Sequence, residues 1–312
     1  MSEPEFLISC MDRHADWAVV ICLVGGGQEI NRGEAGISAW IEAVLERFPG
    51  WDIAISSQLS DAEYAAGLAV EMAKTRSGEP GNGITQVRHE LHLAVSMRSF
   101  RAENVSSFVK ALLDIDMSQA QAELAKLDND YPIRITRNLA VAKSWIRQQA
   151  RGSERPGLLA TSRALRLKPF AINVKGDTKP VHYFLGDKSD PRSSYYLEDA
   201  GSEFEVQGLE LDYALVAWDG DLRMDENQLA WSYHDFRKQS WQNVKSSQNK
   251  TYIKNAYRVL LTRARQGMVI FVPLGNNPPD TTRDSSYYDG TYEYLKAIGI
   301  QELLSETVDK GY

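Results

Sequence analysis

The sequence predicts an α/β protein built on mostly parallel sheet, and three observations carry that expectation. Short apolar runs at 17–25 (WAVVICLVG), 157–162 (GLLATS), 213–218 (YALVAW) and 268–272 (MVIFV) lack the polar alternation of a half-exposed strand, so they suit strands covered on both faces. Helical patterns separate these runs along the whole length, the order expected of right-handed β-α-β units. Gly, Pro and Ser/Thr/Asp punctuate the junctions, as at Pro49-Gly50 and Ser60-Asp61.

With 312 residues, 43% of them hydrophobic, the chain is large enough for two core-bearing domains. No apolar run reaches the roughly 18 residues that span a bilayer, and the acidic start MSEPEF is unlike a secretion signal, which gives a cytoplasmic expectation without a membrane partner. Cys10 and Cys22 are too few for a disulfide framework and are expected to be reduced and inert. The net charge of −7 hides a basic stretch: residues 131–179 hold eleven Lys/Arg against two acids, Glu154 and Asp177. Such a stretch is expected either to meet anions or to balance acidic surfaces elsewhere.

In chain order, the 17–25 strand runs into Gly25-Gly26-Gly27 and then Gln28, at a strand end where backbone can approach a ligand. Ile37, Trp40, Ile41, Val44, Leu45 and Phe48 keep helical spacing and are expected core. A strand at 51–56 and a helix from Ser60 to about Lys74 follow. His89 and His92 lack further ligands, so no metal site is expected. A strand at 91–95 leads past Arg98 into a helix with Val105, Phe108, Val109 and Leu112 on its apolar face. Helices are expected at 119–127 and 139–149. The strand at 157–162 ends in Thr161 and Ser162, and Arg163, Arg166 and Lys168 on a short basic helix complete a candidate nucleic-acid platform.

Residues 175–192 read as irregular or hairpin, and 219–249 as a long loop around a helix. Between them 203–212 (EFEVQGLELD) gathers acids among apolar residues; a paired-carboxylate hydrolase centred on Glu205 and Glu210 would need a second anchoring group that is not apparent. Tyr257, Leu260, Leu261 and Ala264 then form a buried helical stripe, with Arg258, Arg263 and Arg265 off it, and Gly267 is expected to stop the helix ahead of the 268–272 strand. A last helix carries Tyr292, Leu295 and Ile298.

Taken in this order, VGGGQEI, LAVSMRSF, EFEVQGLELDYALV and NAYRVLLTRARQGMVIFVP resemble motifs III, IV, V and VI of superfamily 1 helicases. The last two, with GEAGISAW, are similar more narrowly to the Schlafen-like (group 3) DNA/RNA helicase domain family, over residues 17–299. The resemblance implies a RecA-like P-loop NTPase fold: a partial first RecA-like domain at 1–90, and a second at 91–312 with insertions near 175–202 and 219–249. It also implies site roles. Gln28 would sense the γ-phosphate, Arg98 and Arg263 would contact it, Glu210 would hold the nucleotide ribose and Gly208 would give backbone access.

A complete enzyme of that kind also needs a GxxxxGK[ST] loop and an acidic pair for Mg²⁺, and neither occurs in this sequence. The expectation is therefore the C-terminal part of an ATP-dependent helicase or translocase, with DNA or RNA, in single-stranded form, as the partner the resemblance implies. ATP and Mg²⁺ would serve the complete protein, the missing half would lie in cis or on a separate chain, and this chain alone would not hydrolyse ATP. The competing expectation is a non-catalytic nucleic-acid-binding or regulatory module derived from a helicase.

Overall fold

The computed structural model describes residues 2–23, 30, 36–60, 66–76, 80–92, 100–127, 130–176, 178–225, 229–276 and 280–304, with backbone only at 100–103. The chain forms two compact units, residues 1–96 and 97–312.

In the first unit, Ser2 caps helix α1 (Glu3–Met11) through a reciprocal pair of bonds with Glu5. Helix α2 (Ile37–Arg47) buries Ile37, Ile41 and Ala43. Strand β1 (Ile53–Ser56) pairs in parallel with β2 (Thr85–Arg88), and α3 (Gly67–Arg76) joins them in sequence. Ile41, Ile55, Leu59, Val70 and Ala73 make the core. Two expectations are corrected here. Thr85–Arg88 is a strand the sequence reading does not expect, and Leu91, where a strand is expected to start, ends a 3₁₀ turn at His89–Leu91; residues 93–95 of that expected strand lie outside the described residues. Residues 17–23 form no strand, and Trp17, Val19, Ile21 and Leu23 are exposed, as is Cys22. An apolar run becomes a strand only where a neighbour accepts its backbone, and no described strand pairs with this one.

The second unit opens with packed helices α4 (Phe100–Asp114) and α5 (Met117–Leu127), then β3 (Ile133–Thr136) and α6 (Leu139–Gln149), capped by the Asn138 side chain. Next come β4 (Pro156–Ala160), α7 (Pro180–Leu185), β5 (Ala200–Gly201), α8 (Glu203–Val206) and β6 (Leu211–Ala217). Strands β7 (Leu222–Asp225), β8 (Ala230–Arg237) and β9 (Ser240–Asn243) precede α9 (Ser247–Leu261) and β10 (Ala264–Phe271). Helix α10 (Asp289–Ile298) and β11 (Gln301–Glu302) close the unit. The main sheet runs β11-β3-β10-β6-β4-β5 and every pair in it is parallel. All seven residues of β6 are buried. On one face Leu158, Leu215, Val269 and Phe271 pack with Ile146 of α6 and Leu167. Helix α9 buries Tyr257, Leu260 and Leu261, as its stripe requires.

The end of α9 differs from expectation. It stops at Leu261: Thr262 leaves helical backbone angles, the Arg263 carbonyl is taken by the Leu211 N–H, and β10 has already begun at Ala264. Gly267 is a strand residue opposite Tyr213, and a Cβ there would stand 2.9 Å from the Pro132 carbonyl oxygen. It permits a close backbone approach and does not terminate the helix. Residues 219–249 also differ: β7, β8 and β9 form a three-stranded antiparallel sheet, with Leu222 opposite Tyr233 and His234 opposite Asn243. Residues 175–192 hold α7 and turns. No described helix is long and apolar enough to cross a membrane.

Gly267→Ala should lower stability in a denaturant titration by about 1–3 kcal/mol, the range for forcing a methyl group into packed structure. Restricting the unfolded chain would return only ~0.4–1 kcal/mol. An unchanged midpoint would show that β10 can retreat from Pro132 at no penalty.

Candidate functional site

The segments before β6 and β10 meet at the amino-terminal edge of the sheet because the two strands are neighbours. Ser202 caps α8 with the Glu205 carboxylate accepting from the Ser202 N–H at 2.8 Å, so the short helix ends in a fixed place. Gly208 then takes φ +83° with open space where a Cβ would stand. That backbone conformation favours glycine and leaves the peptide accessible at an exposed position. Leu209 is exposed and Glu210 half-buried.

Arg263 lies in the turn from α9 to β10, and its backbone carbonyl accepts from the Leu211 N–H at 2.9 Å. The guanidinium is buried: Nε donates to the Val259 carbonyl at 3.0 Å, one Nη to Thr262 Oγ1 at 3.3 Å and the other to the Leu209 carbonyl at 3.5 Å. Beneath the junction the buried Asp212 carboxylate accepts from the Arg155 N–H at 2.7 Å, from Arg265 at 2.6 Å and from Gln266 at 3.2 Å. One carboxylate thereby ties the starts of β4, β6 and β10 together, with charge-assisted bonds among the stronger kinds available.

The structure thus brings Gly208, Glu210 and Arg263 to one edge. Gln28 and Arg98 lie outside the described residues. The candidate platform sits at the opposite, carboxyl-terminal edge, and most of it is occupied internally. Thr161 Oγ1 donates to Asp221 at 2.7 Å, and the Ser162 N–H and hydroxyl both donate to buried Glu203. Arg163 pairs with Asp235 at 3.3 Å and Arg166 with Asp280 at 2.9 Å; Lys168 is exposed. Arg137 and Lys143 likewise meet Asp289 and Glu198, so much of the basic stretch balances acids folded against it.

Sequence reasoning missed the buried network here, although two acids directly after a fully apolar strand, in WDGDL, were its signal. Asp221 accepts from Tyr257 at 2.6 Å as well as from Thr161, while Asp219 accepts from Tyr288 at 3.0 Å and from the Arg166 and Gly220 N–H groups. Burial, reinforced by the neighbouring charge of Asp219, pushes the Asp221 carboxyl up to about 7, and burial also raises Asp219. The pair links the end of β4, the insertion sheet, α9 and the approach to α10.

A mostly parallel α/β sheet with two converging loops, one glycine-opened and the other arginine-bearing, defines an α/β domain with a candidate site at one sheet edge. The family is then direct: residues 1–273 match the model described as "Schlafen group 3, DNA/RNA helicase domain", and the chain belongs to that family. Comparisons with curated proteins and with solved structures gave no match.

Asp221 also sets a pH dependence. An unfolded aspartate ionises near 4, whereas the folded Asp221 keeps its proton to about 7. Between those values the native state holds the extra proton, so this group's contribution to stability falls as pH rises. Asp221→Asn, which is neutral throughout, should therefore gain in melting temperature relative to the wild type from about pH 5 to about pH 8. A constant difference across that window would contradict the buried neutral acid.

Proposed function

We propose that this chain supplies the motif V and VI side of an ATP cleft in a superfamily 1 DNA/RNA helicase or translocase, on a RecA-like second domain. The observation that carries the reading is the meeting of the Gly208–Glu210 segment with Arg263 at one sheet edge. Family membership supports it, since the matched domain is a DNA/RNA helicase domain. In this reading the Gly208 peptide and the Glu210 carboxylate hold the nucleotide ribose, and Arg263 meets the γ-phosphate, where a planar and permanently charged fork suits spreading negative charge.

Arg263 bears on the mechanism as it stands. Its contact with the Leu209 carbonyl is the longest of its three side-chain bonds given above, at 3.5 Å. A phosphate entering the cleft would compete for that donor first and would move the Leu209 loop along with the guanidinium. Removing an arginine finger typically lowers turnover by about 10³–10⁵-fold. Gln28 and Arg98 would complete the sensor set. The phosphate loop and the Mg²⁺ ligands would come from residues outside this sequence, in cis or on another chain, because no GxxxxGK[ST] occurs here. The polymer in this reading is single-stranded DNA or RNA.

A second reading, a non-catalytic nucleic-acid-binding or regulatory module, is favoured by the burial of Arg263. Titration with a fluorescent ATP analogue separates the two. The cleft reading expects saturable binding, weakened about tenfold or more by Glu210→Ala and by Arg263→Ala, as loss of a charge-assisted bond implies. It also expects no nucleic-acid-stimulated ATP turnover from the chain alone. Turnover abolished by Arg263→Ala would refute the need for an outside phosphate loop. Salt-dependent binding to single strands, with no effect of ATP analogues, would favour the second reading.

A further inference from the structure

The insertion sheet bounds an open groove of about 790 Å³, between β7, β8, the start of α9 and the turn entering α10. That volume lies in the usual range for a small-molecule site. It shares no residue with the Gly208–Glu210–Arg263 edge. Its walls include Arg223, Asp225, Tyr233, His234, Lys250 and Tyr287.

Several basic residues of the second unit are paired with acids, and the cations of this groove are not among them. Arg137, Lys143, Arg163, Arg166, Lys254 and Arg265 each meet a carboxylate within 4 Å. Neither Arg223 nor Lys250 does, although Asp225 and Asp289 line the same groove; Asp289 is engaged by Arg137. Arg223 is nine-tenths buried, which makes an uncompensated charge expensive. Its guanidinium is held between the rings of Tyr287, at 3.6 Å, and Trp241, at 4.8 Å, with Nε donating to the Gly220 carbonyl at 2.7 Å. One of its Nη atoms is buried without a hydrogen-bond partner. Lys250 is exposed and stands 5.9 Å above the Tyr233 ring. His234, on the same strand as Tyr233, shares a 3.0 Å contact with Ser232.

We propose that this groove binds a nucleotide unit, with its phosphate against the Arg223 and Lys250 side and its base against the aromatic wall at Tyr233 and Tyr287. Two cations without acid partners suit a phosphate, and the tyrosine rings suit a flat base, whose stacking contributes about 1–3 kcal/mol in single-strand sites. Asp225 and Asp289 are acceptors on the same wall for sugar hydroxyls. The unit is either one nucleotide of a single strand or a free mononucleotide. The single-strand form rests on the nucleic-acid part of the proposed function, while the groove itself does not depend on the ATP cleft.

The test follows His234 by its ring Cε1–H resonance, assigned by its loss in His234→Gln, one of five histidines in the chain. Probes are a short oligothymidylate, free thymidine monophosphate and inorganic phosphate, added to the intact chain and to Lys250→Gln. The expected result is a saturable shift of His234 with oligothymidylate, weakened at least fivefold by Lys250→Gln, which alters only an exposed side chain. Equal or tighter binding of thymidine monophosphate would support the groove and make its ligand the free nucleotide. Oligothymidylate binding, seen by anisotropy, that leaves His234 unmoved and is indifferent to Lys250→Gln would overturn the groove while leaving the nucleic-acid reading intact. A response to inorganic phosphate equal to that of both nucleotide probes would overturn the base-stacking part. Binding of none of the probes would overturn the groove and the nucleic-acid reading together, with the ATP analogue titration still separately decisive for the cleft.

Discussion

The pairing of β6 with β10 is the constraint on which the rest of the second unit depends. Its first rung joins the Leu211 N–H to the Arg263 carbonyl, and Asp212 locks the same level by accepting from Arg155, Arg265 and Gln266. Since both strands are buried, neither can slip by one residue without turning apolar side chains onto the wrong face. A register fixed in this way places the loop before β6 and the turn before β10 side by side. The candidate nucleotide edge is thus a consequence of strand order, assembled from segments more than fifty residues apart.

The opposite edge follows different physics. Where the loops of the amino edge leave backbone and charge near the surface, the carboxyl edge buries Asp219 and Asp221 under Tyr257, Tyr288 and Thr161. Buried carboxyls this well supplied with donors define which elements pack together more than they add to net stability. They also connect α9, which carries Arg258 and leads into Arg263, to the insertion sheet. The two edges share a helix, which gives the insertion groove a physical connection to the candidate nucleotide edge through packed elements.

Much of this was legible in the sequence, and the exceptions have identifiable causes. The apolar runs at 213–218 and 268–272 mark the strands Leu211–Ala217 and Ala264–Phe271, and α6 lies at Leu139–Gln149, where Ala142 and Ile146 keep helical spacing and Asn138 caps the helix. Gly267 marks the wrong end for α9: the helix ends at Leu261, where Thr262 leaves helical backbone angles and the Arg263 carbonyl turns to the Leu211 N–H. The insertion sheet was read as loop because AWSYHDFR and SWQN are half-exposed and polar, so no apolar run marks them. Residues 17–23 had the opposite problem, an apolar run without a partner strand among the described residues. The site was legible only through motif resemblance: nothing in local pattern shows that Gly208, Glu210 and Arg263 meet. For the basic stretch the sequence leaves two readings open, because one-dimensional charge counting cannot see Asp235, Asp280 and Asp289 folding back onto it.

The central claim is that the Gly208–Glu210 loop and the Arg263 turn act as one nucleotide-responsive edge. Amide hydrogen exchange with and without a non-hydrolysable ATP analogue tests it most directly. The account predicts that residues 206–212 and 258–264 change protection together and over the same range of analogue concentration, because the buried Arg263 guanidinium must move to meet a phosphate and is bonded to the Leu209 carbonyl. Bound analogue that alters neither segment, or alters one while leaving the other unchanged, would contradict it.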